Sequence, residues 1–357
     1  MSTKATILST LQSATTFVSG EALATACGVS RTSVWKAIKA LEKDGYRISG
    51  VSNRGYRLEE APDVIDGGAI ATELAALGVS GCAVSAFAAI DSTLSESKRQ
   101  CATVSAFRTA DGTLTADGAR LHRSLIVAGQ QTAGRGRLGR PFVSPARSGV
   151  YFTVIYAPKG GVTNPALLTA AAAVAVARAV DALFGTAAKI KWVNDVFLGG
   201  KKISGILTEG VANFETGRIE AANVGIGINV RDMGFTGELA AIAGSIQEAA
   251  VDKTQAARIS RNRLVARVVA ELLGFYDALE GGDSATVSAM LADYRARSCV
   301  IGATVTVNPA AGLQGQPYQA TVLDIADDAS LVVRLADGTQ RALQSGEVSL
   351  HSASFVQ

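Results

Sequence analysis

Two segments gather residue types suited to holding a negatively charged acyl phosphate: QQTAGRGRLGR at 130 to 140 and KWVNDVFLGGKKISGILTE at 191 to 209. In the first, Gly134, Gly136 and Gly139 can bare backbone N–H groups to an anion. Arg135, Arg137 and Arg140 add fixed positive charge and forked donors. A solvated basic turn would have the same composition. Gly134, Gly136 and Gly139 also match the spacing of a dinucleotide fingerprint, but Pro141 and the alternating GVYFTVIY (149 to 156) follow where that motif requires a helix. A P-loop is excluded because the Lys-Ser/Thr ending is missing.

In the second segment, Lys189 to Val193 read as a strand running into an Asn194-Asp195 turn, and Gly199-Gly200 marks another turn. A strand from Lys202 to Glu209 would return antiparallel and bring Lys202 near Lys191 and Asp195. Two ammonium groups and one carboxylate at one end of a hairpin suit a reaction in which a carboxylate attacks the α-phosphate of ATP. The lysines would offset oxygen charge, and the acid could hold Mg2+ or take a proton. An exposed hairpin with solvated lysines is the plainer alternative.

Together with Asp91-Ser92-Thr93 before them and Val224-Gly225-Ile226-Gly227-Ile228-Asn229 after them, these segments resemble the biotin protein ligase family in motif and order. The resemblance implies that Ser92, Thr93 and Gln130 hold the ureido ring of biotin, with Gly134, Gly136 and Gly205 lining the same site. It implies that Arg135 and Arg137 close over the adenylate and that Lys202 meets carboxylate and phosphate. Asn194, Asn229, Phe142 and Arg140 would contact the nucleotide, with Lys191 and Asp195 completing the catalytic set and Asp195 available to Mg2+. ATP and biotin are then substrates. The chain departs from the pattern at Leu94, where Asn is usual, at Val193, where Pro is usual, and at Phe142, where Trp is common. The stretch from Cys101 to Leu121 is longer than the family's link and reads as a surface loop without chemistry. His351 is the nearest match to the family's C-terminal Arg.

The elements that must position these groups fall into three segments. Residues 19 to 44 have helix-turn-helix spacing, with Val34, Ile38 and Leu41 inward, and Tyr46 to Leu58 reads as a wing with its tip at Ser52-Asn53-Arg54. Residues 31 to 57 carry seven basic side chains against Glu42 and Asp44, a local charge of +5 in a chain whose net charge is only +3. Arg31, Thr32, Ser33, Trp35, Lys36 and Arg54 are the candidate DNA contacts. Amphipathic helices over about 256 to 280 and 284 to 297 close an α/β middle region, and after Ser298 short β runs with turns at Asn308-Pro309, Asp327-Asp328 and Asp337-Gly338 suit a small barrel.

The expected architecture is therefore a winged helix-turn-helix over 1–62, an α/β ligase domain with a biotin/lipoate ligase-like mixed sheet over 63–297, and an SH3-like β-barrel over 298–357. The implied partners are a biotin carboxyl carrier domain of a biotin-dependent carboxylase, operator DNA, and a second copy of the chain once the adenylate is bound. A ligase with a non-binding winged helix and a lipoate ligase relative are the alternatives.

Composition narrows the classes further. Four cysteines without paired spacing and two histidines outside any motif argue against a disulfide framework, a zinc site and a Ser-His-Asp triad. The apolar run from Pro165 to Phe184 is interrupted by Arg178 and Asp181, and reads as a buried helix rather than a membrane span. The N-terminus reads as the first helix of the DNA-binding unit rather than a cleavable signal, and the expected location is cytoplasmic.

Overall fold

Ser19, placed before a short apolar run that ends in Gly28, nucleates the second helix of the N-terminal unit in the computed structural model. The structure describes residues 3–43, 46–60, 63–213, 216–253, 260–308, 316–344 and 347–350. The Ser19 hydroxyl accepts from the Ala22 amide, and Gly28 ends the helix in the left-handed conformation at φ 63°. The unit comprises α1 (Thr3–Ser13), α2 (Gly20–Cys27) and α3 (Arg31–Lys43), followed by the antiparallel strands β1 (Arg47–Val51) and β2 (Gly55–Glu60). Val34, Ile38 and Leu41 are buried against Ile7, Leu11 and Leu23, as the helical spacing predicts. Val18 exchanges backbone hydrogen bonds with Tyr56, adding a third short strand to the wing. The close approach explains Gly55, where a Cβ would stand 2.1 Å from the Val18 carbonyl oxygen.

The second compact unit runs from Val64 onward. Its helices are α4 (Gly67–Ala76), α5 (Thr93–Cys101), α6 (Ala116–Leu121), α7 (Pro165–Phe184), α8 (Gly237–Ile242), α9 (Ile246–Ala249), α10 (Arg261–Gly281) and α11 (Ser284–Arg297). Its main sheet holds β3 (Val84–Phe87), β4 (Leu125–Ala128), β5 (Gly149–Tyr156), β6 (Lys189–Lys191), β7 (Asp195–Leu198), β8 (Lys201–Ala212) and β9 (Ile219–Asn229). The strand order is β3-β4-β5-β9-β8-β7-β6, parallel at β3-β4 and antiparallel elsewhere.

Alternation along β9 sends Val224, Ile226 and Ile228 to the helix-covered face, leaving Gly225, Gly227 and Asn229 on the other. The alanine-rich α7 packs on the covered face beside α10 and is long and apolar enough to span a membrane by composition, but two thirds of its most apolar stretch is buried inside the fold. It is a core helix, and small alanines bring its backbone close to the sheet.

Three sequence expectations change. The strand expected over Lys189 to Val193 stops at Lys191, because Lys191 pairs with Asp195 and leaves Trp192, Val193 and Asn194 as the connection. Trp192 turns into the core, where its Nε1 donates to the Ala329 carbonyl at 2.9 Å. The strand bearing Lys202 accordingly pairs with β7 and β9, not with β6.

The stretch from Cys101 to Leu121 is not a bare surface loop. It contains α6, and Phe107 and Leu121 are buried with Cys101, Ile126 and Ile155. The C-terminal strands β10 (Thr304–Asn308), β11 (Tyr318–Ile325), β12 (Leu331–Arg334), β13 (Gln340–Leu343) and β14 (Glu347–Leu350) form an antiparallel sheet in the order β13-β12-β11-β10-β14. The two end strands do not pair among the described residues, so what is seen is a sheet rather than a closed barrel. Asp44, the linker residues Ala61 and Pro62, the start of the helix expected from 256, Pro309 and His351 lie outside the described residues.

His122 fastens the extra stretch to the residue just past β5: its Nδ1 accepts the Ala157 amide at 3.1 Å. Burial lowers its pKa from 6.5, opposed by Glu280 and Asp277 and assisted by Arg108 and Arg123. The unfolded chain therefore binds this proton more readily than the fold, so the contribution is whole above pH 6.5 and is lost as pH falls below it. Urea unfolding between pH 7.5 and 5 should show a downward slope that His122→Asn, which keeps an acceptor, makes shallower. Equal slopes in the two proteins would refute this role.

Candidate functional site

A cleft of about 810 Å³ opens on the face of the main sheet away from α7, beside α5. That is the size range of small-molecule and cofactor sites. The glycine-arginine loop forms one wall, and the β6-β7-β8 meander forms the other. Thirteen of the expected residues line it: Ser92, Thr93, Arg135, Gly136, Arg137, Arg140, Phe142, Lys191, Asn194, Asp195, Lys202, Gly205 and Asn229.

The ammonium of Lys202 lies 2.6 Å from Asp195 Oδ1. A β-bulge near Phe197 sets this up by pairing Lys202 with Phe197, so that Lys202 turns to the cleft while Ile203 is buried in the core. Lys191 stands across the register from Asp195. Lys201 is exposed and does not line the cleft.

The loop is fastened to the opposite wall by its own arginines. Arg137 donates to Asn194 Oδ1 at 2.9 Å, and Asn194 Nδ2 donates to the Ile206 carbonyl at 3.1 Å. Arg135 reaches Glu209 Oε1 at 3.2 Å. The glycines serve the fold of the loop more than anion binding. The Gly136 amide is engaged by the Arg140 carbonyl at 2.8 Å, and Gly139 takes φ 72°. Gly134 does not line the cleft; a Cβ there would meet the Phe142 carbonyl oxygen at 2.3 Å, where the chain doubles back.

At the other end, Ser92 caps α5 and Thr93 is its first residue. Gln130, expected here, does not line the cleft. Its neighbour Gln131 does: Gln131 Oε1 accepts from the Thr93 amide at 2.8 Å, and its Nε2 donates to Ser144 Oγ at 3.0 Å. The Thr93 hydroxyl also accepts from Thr153 at 3.0 Å. Asp91 lies outside the cleft and anchors α5 through a two-pronged contact with Arg99 at 2.8 Å on each oxygen, which holds its carboxyl down at about 2. Leu94, in place of a polar residue, is buried and lines the cleft.

Phe142 lies against Gly205 and Gly227, whose missing side chains make room for its ring. Asn229 is buried and donates from Nδ2 to the Gly244 carbonyl at 2.9 Å. Its Oδ1 has no partner among the described residues, so it offers an acceptor to a ligand N–H or O–H. The segment from Phe235 to Ala243 supplies a further apolar wall that includes Leu239 and the exposed Ile242, and nothing in its composition announced it.

In the N-terminal unit, Arg31, Thr32, Trp35 and Lys36 are exposed on α3, with Trp35 51% exposed. Ser33 is engaged with Ser30 at the start of the helix. At the wing, the guanidinium groups of Arg54 and Arg57 lie 4.9 and 4.8 Å from the centre of the Phe17 ring. Arg57 is paired with Glu59 at 2.7 Å. Trp35 and Arg54 are thus an exposed aromatic and an exposed cation on the helix and the wing.

Among known families, residues 118–229 match the Biotin/lipoate A/B protein ligase family, residues 3–57 an HTH domain, and residues 309–351 the Biotin protein ligase C terminal domain. The chain is 34% identical over 256 residues to the bifunctional ligase/repressor BirA of Bacillus subtilis, spanning 71% of this chain and 73% of that one. It is 27% identical over 266 residues to the protein of the same name from Escherichia coli, 74% of each. In fold it is similar to the biotin protein ligase from Aquifex aeolicus in complex with biotin and ATP, with a TM-score of 0.57, 21% identity, and coverage of 75% of this chain and 98% of that one.

The tight seat of Phe142 can be tested directly. A methyl at Gly227 would stand 2.5 Å from the ring, so Gly227→Ala should displace it and lower the unfolding free energy by about 1–3 kcal/mol, the usual cost of overpacking. Gly225→Ala, whose Cβ meets only ordinary contacts at 3.4 Å and farther, should be milder. Denaturant unfolding that ranks the two the other way would contradict the packing described.

Proposed function

We infer function from one premise: this chain belongs to the family of bifunctional biotin protein ligases and repressors. It is an ATP-dependent biotin protein ligase with a repressor's helix-turn-helix. The observation that carries the site assignment is that one cleft is lined by both the arginine loop and the lysine-bearing meander.

In this reading the biotin carboxylate attacks the α-phosphorus of MgATP. The bond to the β-phosphate breaks, and biotinyl-5'-adenylate and pyrophosphate form. The ε-amine of a lysine on a biotin carboxyl carrier domain then attacks the acyl carbon, AMP departs, and the amine loses its proton. Lys202 is held by Asp195 at the cleft wall, where its charge can offset the crowded carboxylate and phosphate oxygens. Arg135 and Arg137 cover the anhydride against water until the carrier docks.

Ser92, Thr93 and Gln131 suit the ureido ring, which needs hydroxyl and amide partners. Leu94 joins the apolar wall for the valeryl chain. Asn229 and Phe142 suit the adenine: an amide oxygen accepts from its amino group, and a ring stacks on it. Lys191, Asn194 and Arg140 line the nucleotide end. Gly136 and Gly205 leave room for the ligand. Asp195 is the one carboxylate in the described wall of the cleft and is engaged with Lys202. The Mg2+ is therefore read as arriving with the triphosphate, with Asp195 as its single protein anion.

The modules are read as 1–62 for DNA, 63–297 for catalysis and 298–357 as an SH3-like unit, the last from its short antiparallel strands. The implied location is cytoplasmic. The adenylate-bound chain is read as a homodimer that sets two winged helices on two operator half-sites.

Two experiments test this. Lys202→Ala should cut biotin-dependent pyrophosphate release by about a hundredfold, the usual effect of losing one strong electrostatic contact to a transition state, and Lys201→Ala should change it little. An unaltered rate in Lys202→Ala would remove that lysine from the mechanism. In gel shifts against DNA upstream of the organism's biotin synthesis genes, binding should strengthen when biotin and ATP are both present. Lys36→Ala and Arg54→Ala should each lower the salt slope by about one unit. No ligand-dependent shift would leave the helix-turn-helix without an operator role.

A further inference from the structure

Glu209 sits on β8 outside the cleft, opposite Asn223 of β9 in the register. Its two carboxylate oxygens are shared between two cations from different elements. Oε2 lies 2.9 Å from Lys98 Nζ on α5, and Oε1 lies 3.2 Å from Arg135 NH2 on the arginine loop. Its side chain is 23% exposed, against 44% for Lys98 and 42% for Arg135, so the anion is the best sheltered of the three and needs a cation beside it. Arg135 and Pro141 form a backbone bridge across the base of the loop, so whatever holds Arg135 holds the loop's neck.

We propose that Glu209 is a positioning residue that latches the arginine loop over the cleft, with Lys98 as the competing cation that lets the latch open. When Arg135 swings away, Lys98 remains on the carboxylate, so opening strands no sheltered charge and its cost is small. When Arg135 returns, the second oxygen receives it. Arg137 instead meets the neutral side-chain amide of Asn194 rather than a shared carboxylate, which places the adjustable ion pair at Arg135. The lifetime of the bound adenylate is then set in part by the contest of Lys98 and Arg135 for one carboxylate that itself lies outside the cleft. This rests on the ligase reading above.

The two partners predict opposite effects, which a merely structural role would not produce. Glu209→Gln keeps the shape and removes the charge, so adenylate should escape about threefold faster, the scale of a partly exposed ion pair. Lys98→Met leaves Arg135 as the carboxylate's only cation, so escape should slow by about the same factor. Glu209→Asp should restore part of the retention, and the differences should shrink at 1 M salt. The readout is the loss of labelled biotinyl-5'-adenylate from full-length protein after gel filtration, with stray biotinylation of a bystander protein as a second measure.

Opposite shifts establish the latch. Shifts in the same direction, or release at the parent rate in both variants, overturn it. Should Glu209→Gln fail to fold, the sign of the Lys98→Met effect decides alone. Failure of the parent protein to form any adenylate would instead defeat the ligase reading, and is scored separately by pyrophosphate release.

Discussion

The Asn194 side chain accepts Arg137 at Oδ1 and donates from Nδ2 to the Ile206 carbonyl, while its own carbonyl takes the Ile206 amide at 2.9 Å. One buried amide thus joins the arginine loop to the strand that carries Lys202. With the Arg135–Glu209 ion pair and the Phe142 ring seated against Gly205 and Gly227, it holds the loop against the meander. With it, the positive charge on both walls converges on one space, and the electrostatic cost of assembling it is met by Asp195 and Glu209 behind the cations. The Trp192 indole, bonded to Ala329, and the Tyr294 hydroxyl, bonded to the Val193 carbonyl at 3.2 Å, hold the connection that presents Asn194. Through these two contacts the C-terminal sheet and α11 support the site from behind.

The second constraint is space on the sheet. Gly205, Gly225 and Gly227 interrupt β8 and β9 on the face away from α7, while Ile206, Ile226 and Ile228 fill the other face. The same alternation therefore builds a well-packed core and an open cleft on opposite sides of two strands. The Phe142 ring occupies part of the room the glycines leave, and the cleft is the rest. Substitutions on the two faces should thus read differently: loss of packing on one, loss of room on the other.

Much of this was legible in the residues. The helix-turn-helix, its buried Val34, Ile38 and Leu41, and the wing followed from helical spacing, capping and turn chemistry. The approach of Lys202 to Asp195 followed from the turn signals around Gly199-Gly200. Gln131 was missed in favour of Gln130 because adjacent residues of an extended segment point to opposite sides, and which of them faces the cleft is decided by a bridge from Gln131 to Ile90, 41 residues earlier in the chain, with no local cue. The glycines were read as anion donors because composition shows which residues can expose an amide, not which amides the loop uses itself. Burial of Phe107 depends on a cluster assembled from α5, β4, β5 and β9, and the Phe235–Ala243 wall on docking beside β8, so neither had a local signature. Closure of the C-terminal sheet is likewise a matter of long-range pairing.

On the ligase reading, the arginine loop and the lysine-bearing meander together hold one non-covalent acyl adenylate. Purified protein incubated with biotin and ATP labelled in the α-phosphate, passed through a desalting column and then denatured, tests it most directly. The expected result is about one labelled nucleotide per chain on the native protein, dependent on biotin and released by denaturation as biotinyl-5'-adenylate. Label that stays on the denatured chain, or that binds equally without biotin, would contradict it.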